Sequence, residues 1–195
     1  MRYEKGHKDA THDRILEIAA RRFREDGITG AGVAGIMADA GLTNGAFYAH
    51  FASKSEMVEK SLEQAVDQQW EQFAKEIASG HLLDIVRVYL SKEHRDHPGA
   101  GCPSAALLPE ISRQDEATRR VYTESLKRLL DALGEQLRDT PKRPKSREIA
   151  IGCVGLLFGT LQLARAVNDP SLSEEILAAG TQVATTLLHS AKRRK

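Results

Sequence analysis

A chain of 195 residues and 21.5 kDa has room for one large domain or two small ones, and at this size about 70% of the unfolded surface is buried, so its core needs no covalent staples. With 41% hydrophobic and 28% charged residues it is too apolar for a disordered chain, and two cysteines without a CxxC pair, Cys102 and Cys153, exclude a disulfide framework and a four-cysteine zinc module and suit a reducing, cytoplasmic address. Twenty-eight Lys and Arg against 27 Asp and Glu leave a net charge of +1, so any case for nucleic acid rests on where the charges lie.

The first residues, MRYEKGHKDATHDR, are basic but lead into no apolar stretch or small-residue cleavage site, unlike a secretory signal. Aromatics are only 5% and apolar residues recur at three and four rather than two, which predicts an all-α protein of about nine helices. Thr11 offers an N-cap for a first helix whose stripe, Ile15, Leu16, Ala19, Ala20 and Phe23, ends at Gly27. A short helix over 33–40 stops at Gly41, and another opens with Thr43 as cap and runs to about Phe51. Ser53-Lys54-Ser55-Glu56 is a capping box opening a long helix through Leu62, Val66, Trp70, Phe73 and Ile77 to Gly80. Helices follow at 82–92, 103–111, 115–138, 146–167 and 172–191, with loops at 97–99, 140–144 and 168–170. The longest apolar run, 149–164, holds Thr160 and Gln162 and falls short of the roughly 20 residues a membrane span needs, so no membrane partner is expected.

Residues 36–48, IMADAGLTNGAFY, have the layout of a helix-turn-helix: a short apolar-faced helix, a glycine turn and a second helix with small or polar residues first. The continuation Gly45-Ala46-Phe47-Tyr48-Ala49-His50-Phe51-Ala52-Ser53-Lys54-Ser55-Glu56 resembles the signature of the TetR family of bacterial transcriptional regulators, closely over residues 11 to about 62 and beyond that only in helix number and length. The resemblance implies a three-helix DNA-binding bundle over 1–60 and a larger helical domain over 61–195 that binds a ligand and dimerises. It implies a homodimer whose recognition helices enter successive major grooves of a palindromic operator in double-stranded DNA, most often a repressor released by a small molecule.

At the start of such a helix, free N–H groups and the positive dipole end favour phosphate, and the first side chains point into the groove. Thr43 and Asn44 stand there; an Asn amide can pair with adenine, Gly45 and Ala46 admit a close backbone, and Ala46 can touch a thymine methyl. Tyr48 and His50 match the family's phosphate-contact positions and Lys54 its phosphate-pairing lysine at the start of the fourth helix, whereas Phe47 and Phe51 read as core. Taken singly, Tyr48 and His50 are equally readable as surface cover. Positions 40–55 carry no acidic residue although residues 1–60 balance nine basic against nine acidic. Arg2, Lys5 and Lys8 form a basic arm within reach of phosphate or simply solvated. One departure is Gly30-Ala31-Gly32, where the family usually offers a Ser or Thr cap.

In the C-terminal part, Gly152, Gly155 and Gly159 form a smooth stripe that lets another helix approach, and Ile176, Val183 and Leu187 with Leu172 form an apolar stripe on the last helix. The family resemblance assigns these two helices to the dimer interface; the alternative is a neighbour within the same chain. Ligand-binding candidates are Tyr89, Tyr122, Phe158 and Gln162, with Leu107, Leu108 and Leu126, for a mostly apolar or aromatic effector. Cys102, followed by Pro103, reads as the N-cap of a helix with His94 and His97 nearby, and is open to three readings: a structural thiol, a redox or electrophile sensor, or part of a metal site that lacks a fourth ligand. No metal or cofactor is expected, nor an enzyme, since no phosphate-binding glycine loop, HExxH, GxSxG or framed carboxylate pair occurs. A helical scaffold without DNA binding is the remaining alternative, and the closing basic residues 192–195 read as a solvated end.

Overall fold

The computed structural model describes residues 5–137 and 146–193. These residues form nine α-helices and two 3₁₀ segments, with no strand among them. The expected loop at 140–144, Arg138, Arg2 and residues 194–195 lie outside the described residues.

Helix α1 spans Lys5–Gly30, so it starts before Thr11, which sits inside it and is not its cap. Lys8, Asp9 and Ala10 contain no breaker, and the helix propagates past the threonine. Gly27 has φ 78° and ψ 159°, a left-handed residue that kinks α1 where its end was expected. After α2 (Val33–Asp39), Gly41 turns the chain at φ 68°. The segment Asn44–Ala49 is then 3₁₀ rather than α, and Thr43 holds the N-cap position without a side-chain bond. Its sequence, NGAFYA, has little helix propensity, and its shape is set by Phe47 and Phe51, both buried and stacked at 5.6 Å between ring centroids.

The capping box opens α3 (Lys54–Ala78): Ser53 Oγ accepts from the Glu56 N–H at 3.1 Å, and Glu56 Oε2 accepts from the Ala52 N–H at 2.7 Å. The single helix expected at 82–92 is two, α4 (Leu82–Tyr89) and α5 (Lys92–Asp96). Ser91 breaks it by acting as a cap, accepting from the His94 N–H at 3.1 Å. A 3₁₀ turn at Pro98–Ala100 leads to α6 (Pro103–Ile111), then α7 (Glu116–Gln136), α8 (Ser146–Ala166) and α9 (Pro170–Arg193). α9 begins earlier than expected because Asp169 Oδ1 accepts from the N–H groups of Ser171 and Leu172.

Two apolar clusters result. One gathers Ile15, Phe23, Ile36, Met37, Phe47, Phe51 and Met57, together with Leu107 and Ile111 of α6. The other lies among α4, α7, α8 and α9 around Val86, Tyr89, Phe158 and Leu161. α3 runs unbroken through residue 60 and contributes Met57 to the first and Ile77 to the second. At its head Ser55 Oγ donates to Asp115 Oδ2 at 2.6 Å, tying the first turn of α3 to the cap of α7.

This bond first, and the Thr118 N–H second, hold the Asp115 carboxyl below the ordinary aspartate range. A carboxyl depressed in the folded state contributes stability that is complete above the unfolded pKa and is lost as pH falls through the folded one. Protection of the amides in the first turn of α7, taken relative to the intrinsic exchange rate at each pH, is therefore expected to fall on acidification below about pH 4 in the native chain, and an Asp115→Asn variant should show the lower protection already at neutral pH.

Candidate functional site

The 3₁₀ segment after α2 presents its polar side outward. Thr43, Asn44 and Gly45 are exposed, Ala46 is half-buried, and Tyr48 is 76% exposed while Phe47 beside it is buried and meets its ring edge-on at 5.2 Å. Tyr48 is thus the large aromatic that this segment leaves in solvent while its other aromatics anchor the core. His50 is half-buried near His12, and His12 stacks on Phe51 at 4.6 Å. Burial first, then the neighbouring His12 and Lys8, lower the His50 pKa, which favours the neutral ring. Its Nδ1 is buried without a hydrogen-bond partner. Lys8 is exposed on α1 and Lys5 opens the same helix, so these two members of the basic arm are helical.

Lys54 does two things that its sequence position did not suggest together. Its Nζ donates to the Ile28 carbonyl at 2.6 Å, satisfying an orphan acceptor beyond the kink of α1. The ammonium is thereby fixed at the edge of the exposed face with donors to spare.

Long-range ties join α1 to α6 and to the 3₁₀ turn before it. Arg24 of α1 donates from Nε and Nη2 to the Gly99 carbonyl at 2.8 and 2.5 Å, and Glu110 Oε2 accepts from the Thr29 N–H at 3.0 Å and hydroxyl at 3.3 Å. The positive φ calls for glycine at Gly27, and a Cβ there would also stand 2.6 Å from Glu110 Oε1 and push that carboxylate aside. Neither Arg24 nor Glu110 was legible as functional: their partners lie 75 and 81 residues away, and no local spacing marks them.

Three cavities open in the C-terminal part. A small apolar one of about 40 Å³ has Phe73, Tyr89, Leu129, Cys153 and Phe158 in its wall. A smaller one, about 20 Å³, lies between Trp70, Leu126 and Tyr122, whose hydroxyl donates to Ser104 Oγ at 3.2 Å. An open cleft of about 310 Å³ is walled by Arg24, Gln69, Phe73, Tyr89, His94 and Cys102, among others. Tyr89, Phe158 and Tyr122 thus stand at cavities, while Gln162 lines none of these three and Leu107 belongs to the N-terminal cluster.

Cys102 occupies the N-cap position of α6 without a side-chain cap bond, and its Sγ donates to Gln69 Oε1 at 3.3 Å. His94 Nε2 accepts from the Cys102 N–H at 3.0 Å while its Nδ1 meets the Tyr89 carbonyl at 2.7 Å, which fixes a neutral ring protonated at Nδ1. His94 therefore stands beside Cys102 as a neutral acceptor; Arg24 and Arg165 are the cations within electrostatic reach. His97 Nδ1 meets the Glu93 carbonyl, and the described residues contain no cluster of three His, Cys, Asp or Glu able to hold a metal. Cys153 is buried, and desolvation pushes its thiol up to about 11.

On α8, a Cβ at Gly152, Gly155 or Gly159 would meet nothing within 4 Å. Among the described residues, no helix fills that stripe. The close approach of α8 and α9 occurs instead at Gly180, where a Cβ would collide with Thr160. Ile151, Leu163 (60% exposed), Leu172 and Val183 (54% exposed) extend the open stripe into an apolar patch, whereas Ile176 and Leu187 are half-buried against their own core. By length and composition α8 could cross a membrane, yet 44% of its apolar window is buried inside the protein.

Comparison with known proteins converges on this geometry. The family model for bacterial regulatory proteins of the tetR family matches residues 15–60. The HTH-type transcriptional repressor KstR2 of Mycobacterium tuberculosis is 39% identical over 62 residues, 32% of this chain and 31% of KstR2, so the match spans about a third of that relative. Over nearly the whole chain the fold is similar to three solved structures. Reduced Escherichia coli NemR has a TM-score of 0.75 at 19% identity, covering 91% of this chain and 96% of its own. A TetR transcriptional regulator from Chloroflexus aurantiacus gives 0.75 at 20%, covering 92% and 96%. A TetR-family regulator from Agrobacterium tumefaciens gives 0.71 at 22%, covering 90% and 97%.

Proposed function

Because this chain belongs to the TetR family of bacterial regulatory proteins, we propose that it is a cytoplasmic repressor that binds a palindromic operator in double-stranded DNA as a homodimer and leaves it when a small, mostly apolar or aromatic effector binds. The carrying observation is the face over 43–54: exposed Thr43, Asn44 and Tyr48 on a segment pinned by buried Phe47 and Phe51, with Lys54 fixed at its edge and no carboxylate between 40 and 55. Residues 1–60 serve as the DNA-binding unit and 61–195 as the effector and dimerisation unit. The open glycine stripe of α8 and the exposed side of α9 support the dimer, and the apolar cavity behind Phe73, Tyr89 and Phe158 supports the effector class.

Selection of binding sites from random DNA, followed by affinity measurements on the selected site, tests this reading. Asn44→Ala is expected to relax base preference at one position in each half-site at a cost of about 1 to 3 kcal/mol. Lys54→Ala should weaken all sequences alike and lower the salt slope by about one per subunit. It should also lower the melting temperature, since the Ile28 carbonyl loses its donor. An unchanged base preference in the Asn44 variant removes that residue from the reading surface.

A further inference from the structure

Phe73 stands at all three cavities of the C-terminal part, and Tyr89 stands at two of them. The two rings, 6.3 Å apart between centroids, form the partition between the open cleft and the small apolar cavity. The spaces on either side differ in chemistry. Behind the partition the wall is aliphatic, with Ile85, Leu133, Leu157 and Leu188. In front of it, the cleft is lined by the amides of Gln68, Gln69 and Gln72 on α3 and by the Arg24 guanidinium.

Arg24 is a cation short of an anion. Burial lowers its pKa, and its Nε and Nη2 both donate to the Gly99 carbonyl, a neutral acceptor. Glu25 attracts it through space, and among the described residues no carboxylate pairs with it directly. Beside His94 and Gly101, Arg165 repeats the pattern: Nε and Nη2 donate to the carbonyls of Arg95 and His94, and Nη1 is buried without a partner. Glu93, the one carboxylate among the residues lining the cleft, is exposed and meets His97 instead. A partly desolvated guanidinium is better served by a carboxylate, which accepts two parallel N–H bonds.

We propose that the effector is an amphiphilic carboxylate of medium chain length, whose head pairs with Arg24 in the cleft and whose unbranched tail passes Phe73 into the apolar cavity. About 40 Å³ holds about three water-sized groups, room for the end of a chain and too little for a ring. Rotation of the half-buried Phe73 side chain about χ1 joins the two spaces, so Phe73 sets how long a chain is accepted. The head also reaches the rest of the fold. It competes with the Gly99 carbonyl for the Arg24 donors, and that bond ties α1 to the 3₁₀ turn ahead of α6.

The proposal rests on the effector-released repressor reading, so binding is measured without DNA and release with it. Full-length protein is titrated with octanoate, butanoate and octan-1-ol by calorimetry. Fluorescence of the single tryptophan, Trp70, which shares the smallest cavity with Phe73, is followed in parallel. Octanoate is expected to bind at least about tenfold tighter than butanoate, because its additional methylenes leave water, and at least about tenfold tighter than octan-1-ol, which lacks the charge. Leu133→Phe, which fills the apolar cavity, should erase the advantage of octanoate over butanoate, and Phe73→Ala should shift the preference toward dodecanoate. Arg24→Gln should bring octanoate down to the level of octan-1-ol, and the alcohol comparison on the native chain decides the head even if that variant folds poorly. Octan-1-ol bound as tightly as octanoate overturns the head, and butanoate bound as tightly overturns the tail. A chain-length preference unchanged in both Phe73→Ala and Leu133→Phe overturns the path past Phe73. On the selected operator, saturating octanoate should lower affinity at least about tenfold; octanoate bound with undiminished operator affinity overturns its part as effector. Protein that binds octanoate but selects no DNA site defeats the repressor reading alone, and protein that selects a site but binds no octanoate defeats this proposal alone.

Discussion

Replacing Gly155 with leucine is expected to convert the protein from dimer to folded monomer and to remove tight operator binding. The argument turns on what the new side chain meets. Within the described residues a Cβ at Gly155 finds nothing within 4 Å, and leucine favours a helix interior over glycine by about 0.8 kcal/mol, so the fold of the single subunit should survive, its melting temperature falling only by what dimerisation contributed. Against a second subunit packed on the stripe, the same side chain holds two backbones apart and exposes the patch around Leu163 and Val183. One subunit reads one half-site, so affinity for the full operator should fall by orders of magnitude. Light scattering gives the mass, circular dichroism the helix content and melting, and anisotropy the affinity. An intact dimer in Gly155→Leu and also in Gly159→Leu places the interface elsewhere.

Phe51→Ala is expected to unfold the DNA-facing unit while leaving the dimer. Phe51 is 2% exposed and stacks on Phe47 from one element and on His12 from another, so its ring joins the 3₁₀ segment to α1. Removing a buried phenyl ring costs about 3 to 5 kcal/mol, a large share of the 5 to 15 kcal/mol that holds a typical domain. The second apolar cluster, among α4, α7, α8 and α9, does not include Phe51. Binding should therefore vanish at every DNA sequence, amides of α1, α2 and the 3₁₀ segment should lose exchange protection, and the mass in solution should stay that of the native protein. Equal loss of protection throughout the chain would show that the two clusters unfold as one.

What sequence discloses here is whatever is local. The capping box, the Pro103 start of α6 and the Gly41 turn are each written in adjacent residues, and each stands where the pattern put it. Thr11 and Ser91 show the limit of that code. Both have the chemistry of a cap; Ser91 uses it to split α4 from α5, while α1 runs through Thr11 because stronger helix formers precede it. The exposed face over 43–50 was legible because Phe47 and Phe51 identify their own buried side, leaving Asn44 and Tyr48 the other. Its 3₁₀ geometry was not, since packing of two rings chose it over an α-turn. Lys54 could be assigned a role from its place in the motif, but not its bond to Ile28, and His94 could be seen near Cys102 but not as the acceptor that keeps its ring neutral. The Arg24 and Glu110 ties span 75 and 81 residues and depend on tertiary packing alone.

Because α6 is roped to α1 at both ends, influence between cleft and DNA face runs in either direction. Thermodynamic linkage makes it symmetric for reversible occupants: the factor by which a guest in the cleft weakens the operator is the factor by which the operator weakens the guest. In the repressor proposed above, copies sitting on the chromosome would then be the least sensitive detectors in the cell, and unbound dimers the most. The dose that lifts repression would be set by how many spare dimers surround each operator, so the abundance of the protein itself would become a dial on the threshold of the response.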